Sequence, residues 1–247
     1  CAAHDDVRTG PGGVAPMNVA VRGDSPSVEA VVHDACSVVD PGDADVIVAV
    51  DEAALRALAT GTQAAPALAV LDGRGPPGVP PSRIREALEA LSAAPVRSVA
   101  YPTCAVAVEG ERVGTAVFDA AVLPTRPAKI SGYAVHTDGR RLDAFRADGV
   151  VVATPVGSGG YARSVGGPIV GPDAGFVVSP VSPYSIVSDV WVLDPPVAVT
   201  VERDDSDVSL FIDDAERRPV TPGDRIRVSV AGHVDLVRVP IDYAADR

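Results

Sequence analysis

Apolar and polar positions along this chain fall into two textures. Met17 to Val21 reads as a buried strand, and apolar residues at roughly helical spacing run from Ser27 through Val39 after Ser25-Pro26, a helix start. Apolar runs at Val46 to Val50 and Ala67 to Leu71 then predict strands, alternating with helices near Glu52 to Ala59 and Pro81 to Ala93. Alternation of this kind implies a parallel sheet with crossover helices. Asp72 to Pro81, with three Gly and four Pro, predicts a rigid exposed loop. After Pro95 the pattern changes to short β-rich segments at Val96 to Tyr101, Ala105 to Glu109, Thr115 to Leu123, Lys129 to Thr137 and Val150 to Ala153. Val190 to Val201, Val208 to Ile212, Ile226 to Val230 and Val234 to Pro240 continue it, which predicts a sandwich or layered β unit.

The expected division is therefore an α/β nucleotide-binding domain over 17–95 and a β-rich domain over 96–247, whose last segment either stays there or returns to the first domain. Cys1 to Pro16 is polar and Gly/Pro-rich and offers no core face, so a disordered or misassigned leader is expected ahead of Met17.

Composition narrows the function. A length of 247 residues with 47% hydrophobic content supports a folded chain with a sizeable core. A net charge of −12 argues against a nucleic-acid partner, whose phosphates it would repel. Cys1, Cys36 and Cys104 are odd in number and widely separated, which suggests a reducing compartment without a disulfide framework. His4, His33, His136 and His233 are scattered, with no Cys or His at metal-ligand spacing, so no zinc site is expected. No run approaches the ~18 apolar residues of a membrane span, and a cytoplasmic protein is expected.

One segment stands apart. Thr154-Pro-Val-Gly-Ser-Gly-Gly-Tyr-Ala-Arg-Ser-Val-Gly-Gly-Pro168 places five glycines and small hydroxyls after the strand-like Val150-Val151-Val152-Ala153, itself preceded by Asp148-Gly149. Such a backbone turns tightly and approaches a ligand without Cβ clashes. In this order the segment closely resembles the signature of NAD kinases, which move the γ-phosphate of ATP onto the 2′-hydroxyl of the adenosine ribose of NAD. Further parts follow in sequence over roughly Met17 to Val239. Asp51 stands where the family has Gly-Gly-Asp-Gly, Asp72-Gly73 where it has Asn-x-Gly, and Phe118-Asp119 where it has Asn-Glu. Asp213-Asp214 and Gly223-Asp224 resemble its late turns.

The resemblance implies an NAD kinase-like fold, with a Rossmann-like parallel α/β domain followed by a layered β-sandwich. It implies Asp51 as the base acting on the 2′-hydroxyl, ATP as donor, NAD as substrate, Mg²⁺ or another divalent metal, and assembly into dimers or tetramers. The residues expected to hold nucleotide are Asp119, Asp148, Thr154, Gly157, Ser158, Gly159, Tyr161, Ser164, Gly166 and Gly167. Glu52 occupies a glycine position of the pattern, Phe118 an asparagine, Gly159 a threonine and Gly160 an alanine. Asp51-Glu52 also reads simply as an acidic helix start. Two functions thus remain open: a divergent NAD kinase, or a catalytically inactive relative that binds NAD(P) or another nucleotide in a regulatory role. The fold also serves lipid kinases, but no membrane-binding patch is visible here.

Lys129 is the single lysine among 21 basic residues, and acidic residues number 33, a pattern resembling proteins of salt-loving organisms. Salt screens such self-repulsion. The thermal unfolding midpoint is therefore expected to rise between low and molar salt; a midpoint insensitive to salt would contradict this reading.

Overall fold

The computed structural model describes residues 17–75, 77–126, 129–186, 188–203 and 207–241, so the expected leader over 1–16 lies outside the described residues. The first part contains β1 (Asn18–Arg22), α1 (Pro26–Ala35), β2 (Ser37–Val38), β3 (Val46–Ala49), α2 (Glu52–Thr60), β4 (Ala67–Ala69) and α3 (Ile84–Ser92). Next come β5 (Ser98–Val108), β6 (Glu111–Ala116), β7 (Asp119–Pro124), β8 (Ser131–Thr137), β9 (Arg140–Ala147) and β10 (Gly149–Ala153). The short α4 (Tyr161–Ser164) precedes β11 (Phe176–Val181), β12 (Trp191–Leu193), β13 (Val197–Arg203), β14 (Val208–Ile212), β15 (Ala215–Val220) and β16 (Arg225–Val237).

Strands β2, β1, β3 and β4 pair in parallel, and the end of β16 joins them through Leu236 opposite Ala67. The same sheet continues through β16, β13, β8 and β9, with β5 paired to β16 and β6 paired to β5. A second, antiparallel sheet runs β12-β11-β10-β7-β14-β15. This is the α/β plus β-sandwich architecture implied by the sequence. Among the described residues no helix is long and apolar enough to cross a membrane.

Three packed layers explain the pattern of burial. Val28 and Val32 of α1 and Ile84, Leu88 and Leu91 of α3 cover one face of the parallel strands. Leu55 and Leu58 of α2, three residues apart on one helix face, cover the other, where they meet Phe118 and Val156 from the second half of the chain. The sandwich core joins Tyr133, Val135, Val199 and Val228 of one sheet to Val150, Val152, Phe176 and Leu210 of the other. Val151 and Ala153 point the opposite way, against Ala162 and Val177, so β10 is buried on both faces and reads as a continuous apolar run.

Several sequence expectations need correction. The first helix stops at Ala35, because Ser37 and Val38 pair with β1 instead. The segment from Val190 to Val201 divides into β12 and β13 around Pro195-Pro196, which cannot donate to a ladder. Conversely, the two strands expected at Ile226 to Val230 and Val234 to Pro240 are one, β16, carried through by a bulge between Val230 and Gly232. The loop from Asp72 to Pro81 is not wholly exposed: Val79 is fully buried and bridges Val70. Strands β9, β11 and β15 add to those expected.

Leu236 is 1% exposed at the junction of β16 with β4. Leu236→Ala is expected to destabilise the fold by about 2–5 kcal/mol in denaturant unfolding. Val38→Ala, at a position 41% exposed on the edge strand, serves as control and should stay within about 0.5 kcal/mol.

Candidate functional site

The glycine-rich segment leaves the sheet at the end of β10 and is anchored at once. Thr154 donates through its N–H to the Phe118 carbonyl (2.8 Å) and through Oγ1 to the Val117 carbonyl (2.6 Å), and Oγ1 accepts from the Gly157 N–H (3.1 Å). Ser158 Oγ donates to the Pro155 carbonyl (2.7 Å) and accepts from the Val170 N–H (3.1 Å), tying both ends of the loop together. Ser164 Oγ donates to the Tyr161 carbonyl (2.7 Å), and the Gly167 N–H returns to the Ala162 carbonyl (2.8 Å). A Cβ on Gly157 would lie 1.9 Å from the Phe118 oxygen, and one on Gly159 would lie 1.8 Å from the Arg74 carbonyl oxygen. No side chain fits at either position.

Above this loop lies a cavity of about 320 Å³. Ala121, Leu123 and Phe211 form its apolar wall beside the Tyr161 ring. Glu52, Asp119, Asp213 and Asp214 bring carboxylates, and Arg74 and Phe118 complete the lining. The turn between β14 and β15 holds the acidic side in place. Asp213, at φ 56°, accepts hydrogen bonds from the backbone N–H groups of Val117 (3.1 Å), Phe118 (2.8 Å) and Asp119 (3.2 Å). Its own N–H donates to the Asp119 carbonyl (2.8 Å), so the clasp is reciprocal.

Charge is unevenly compensated. Burial raises the Asp213 carboxyl above its ordinary value, and the three amide donors oppose the rise. Asp119 is 5% exposed, and burial together with the neighbouring Asp213 pushes its carboxyl up to about 7, while Arg74 pulls it down. Arg74 donates from Nε to Glu52 Oε1 (2.5 Å), and its guanidinium lies over the Phe118 ring, 4.5 Å from the centroid. Arg56 lies 3.8 Å from Glu52 and 3.3 Å from Asp214. The Tyr161 hydroxyl is raised by burial, then by Asp119 and Asp148, which stand near it.

The structure brings Asp119 and Tyr161 into one cavity, with half-buried Asp148 close to Tyr161. Thr154, Gly157, Ser158 and Gly159 are buried in the loop beneath, and both hydroxyls are engaged within it. Ser164 and Gly166 are exposed and Gly167 half-buried at the far end of the loop. Asp51 does not line the cavity: it caps α2, Oδ1 accepting from the Ala54 N–H (2.6 Å), next to cavity-lining Glu52. Sequence reasoning singled out neither Arg74 nor the cavity role of Asp213. The Asp213-Asp214 turn was visible as a turn, and Gly73-Arg74-Gly75 as a loop, but nothing local says where either points. Among the described residues, no group of three or more His, Cys, Asp or Glu is arranged to hold a metal ion.

Comparison with known proteins places these features in context. Residues 119–239 match the family model of the ATP-NAD kinase C-terminal domain. An NAD kinase of Methanosarcina mazei is 39% identical over 126 residues, 50% of this chain and 44% of that protein. One from Methanopyrus kandleri is 31% identical over 160 residues, 64% of this chain and 55% of that protein. The chain thus spans about half the length of the curated relatives it matches. Among solved structures, an NAD kinase from Archaeoglobus fulgidus in complex with ATP superposes with a TM-score of 0.63 at 23% identity, covering 90% of this chain and 93% of the other. Yeast NADH kinase complexed with NADH gives 0.67 at 17% identity, covering 94% and 86%. At such identities these two show the fold.

A carboxyl raised in the folded state contributes stability that is fully present below about pH 4 and is lost as pH rises through about 7. The unfolding midpoint of the unsubstituted protein, relative to Asp119→Asn, is therefore expected to be higher at pH 5 than at pH 8. A difference that ignores pH would show that Asp119 is not held in this environment.

Proposed function

We propose, from the match of residues 119–239 to the family model of the ATP-NAD kinase C-terminal domain, that the protein phosphorylates the 2′-hydroxyl of NAD with ATP to give NADP. The observation that carries the proposal is the cavity joining Asp119 on β7, Tyr161 on the glycine loop and the Asp213 turn. Its apolar wall suits a nucleobase, Tyr161 offers a ring to stack on, and Asp119 offers acceptors for ribose hydroxyls. Residues 17–95, with the end of β16, form the nucleotide-binding half that supplies α2.

Phosphoryl transfer rests on positioning and charge neutralisation more than on covalent chemistry by the protein. Asp51 is the proposed base: one carboxylate oxygen holds the helix cap and the other remains for the hydroxyl proton. Mg²⁺ is commonly held by substrate phosphates and one or two carboxylates, so it needs no closed cage of protein ligands. Glu52 is the cavity carboxylate that would help hold it, and the ion would neutralise phosphate charge. Assembly into dimers or tetramers follows from the same resemblance.

A second reading, nucleotide binding without transfer, draws on the capping role of Asp51 and on the Glu52–Arg74 ion pair at the cavity edge. A coupled assay for NADP formation from NAD, ATP and Mg²⁺, at low and molar salt, separates the two. Turnover is expected to fall by about 10²-fold or more in Asp51→Asn. Absent turnover, with NAD or NADP still raising the unfolding midpoint, would favour the second reading.

A further inference from the structure

Arg74 is held in an unusual way. Its Nε and Nη2 both pair with Glu52, and its guanidinium stacks on Phe118. A Cβ on Gly159 would meet the Arg74 carbonyl oxygen at 1.8 Å, and one on Gly160 would meet Arg74 Nη1 at 1.8 Å. Four of the residues that depart from the NAD kinase pattern, Glu52, Phe118, Gly159 and Gly160, are therefore neighbours of this one side chain. Scattered loss of function would leave unrelated gaps; here the replacements fit each other around a guanidinium.

That guanidinium is not fully used. The Arg74 side chain is 16% exposed, and Nη1 is buried with no hydrogen-bond partner among the described residues. A buried charged donor without an acceptor is unfavourable, and an anion is the acceptor that satisfies it best. Arg74 is also the basic side chain in a lining that includes Glu52, Asp119, Asp213 and Asp214. A phosphate entering so acidic a cavity needs a fixed cation. Glu52 has a second cation beside it, Arg56, 3.8 Å from its carboxylate.

We propose that Arg74 is the phosphate-binding residue of this cavity: Glu52 and Phe118 hold it ready, and Nη1 takes a phosphate oxygen of the bound dinucleotide. The proposal rests on the nucleotide-binding reading of the site and adds a recognition residue to it. Arginine serves where lysine would not, because a planar fork can stack on Phe118, pair with Glu52 and still present a donor.

The test is calorimetric titration with two probes, NAD and adenosine, the second lacking phosphate. In Arg74→Met, NAD affinity is expected to fall about tenfold or more, in line with the loss of a charge-assisted hydrogen bond, while adenosine affinity stays unchanged. Arg74→Lys should recover part of the loss. Gly160→Ala, which displaces Nη1 but keeps the charge, should reproduce the selective loss and supplies the test should Arg74→Met fold poorly. Equal losses for both probes would overturn the proposal and make Arg74 a wall of the pocket. Tighter NAD binding in Arg74→Met would overturn it by showing Arg74 to be a plug. NAD binding that ignores Arg74 would sink this inference alone, whereas unsubstituted protein that binds no NAD would sink the nucleotide reading with it.

Discussion

The antiparallel ladder between β5 and β16 is the constraint on which the rest of the molecule depends. It runs from Val108 opposite Ile226 to Ser98 opposite Val237, one strand pair that starts inside the sandwich and ends beside the parallel strands. At one end Val106 and Val228 face the β-sandwich core; at the other Leu236 packs with α2 and β4. Backbone hydrogen bonds buried along such a ladder leave little freedom between its ends. The position of Glu52 relative to Asp119 is set by that continuity and by the apolar contact of Leu55 and Leu58 with Phe118 and Val156.

At the seam so fixed, an acidic protein gathers four carboxylates and handles each differently. Asp213 is answered by three backbone donors, and Glu52 and Asp214 by arginines. At Asp119, burial and the neighbouring Asp213 outweigh the pull of Arg74, and its proton affinity rises. The cavity is therefore an asymmetric environment, acceptor-rich at Asp119 and cationic at Arg74, with an apolar wall of Ala121, Leu123 and Phe211.

Thr154 and Ser158 show how the loop serves this arrangement. Their hydroxyls close hydrogen bonds within the loop instead of facing the cavity, so the segment acts as a shaped floor. Its glycines are required by close approach: Phe118 lies against Gly157, and the Arg74 backbone against Gly159. Small residues here permit contact between two halves of the chain as much as contact with a ligand.

The sequence by itself determined the alternation of strand and helix before Pro95, the β-rich remainder, the buried run of β10 and the glycine loop after it. These are local properties, written in spacing, apolar runs and backbone permissiveness. It also exposed Asp119 and Tyr161 as candidates, since each sits in a recognisable pattern beside a strand. It could not show β9, whose mostly exposed edge position leaves no apolar alternation to read, nor that Ile226 to Val237 is one bulged strand. Only the tertiary structure decided that Asp213, 94 positions from Asp119 along the chain, clasps its backbone, or that Arg74 lies between Glu52 and Phe118. Those pairings depend on which faces the two sheets and α2 turn toward each other, and burial of the whole apolar surface settles that, not any residue's immediate neighbours.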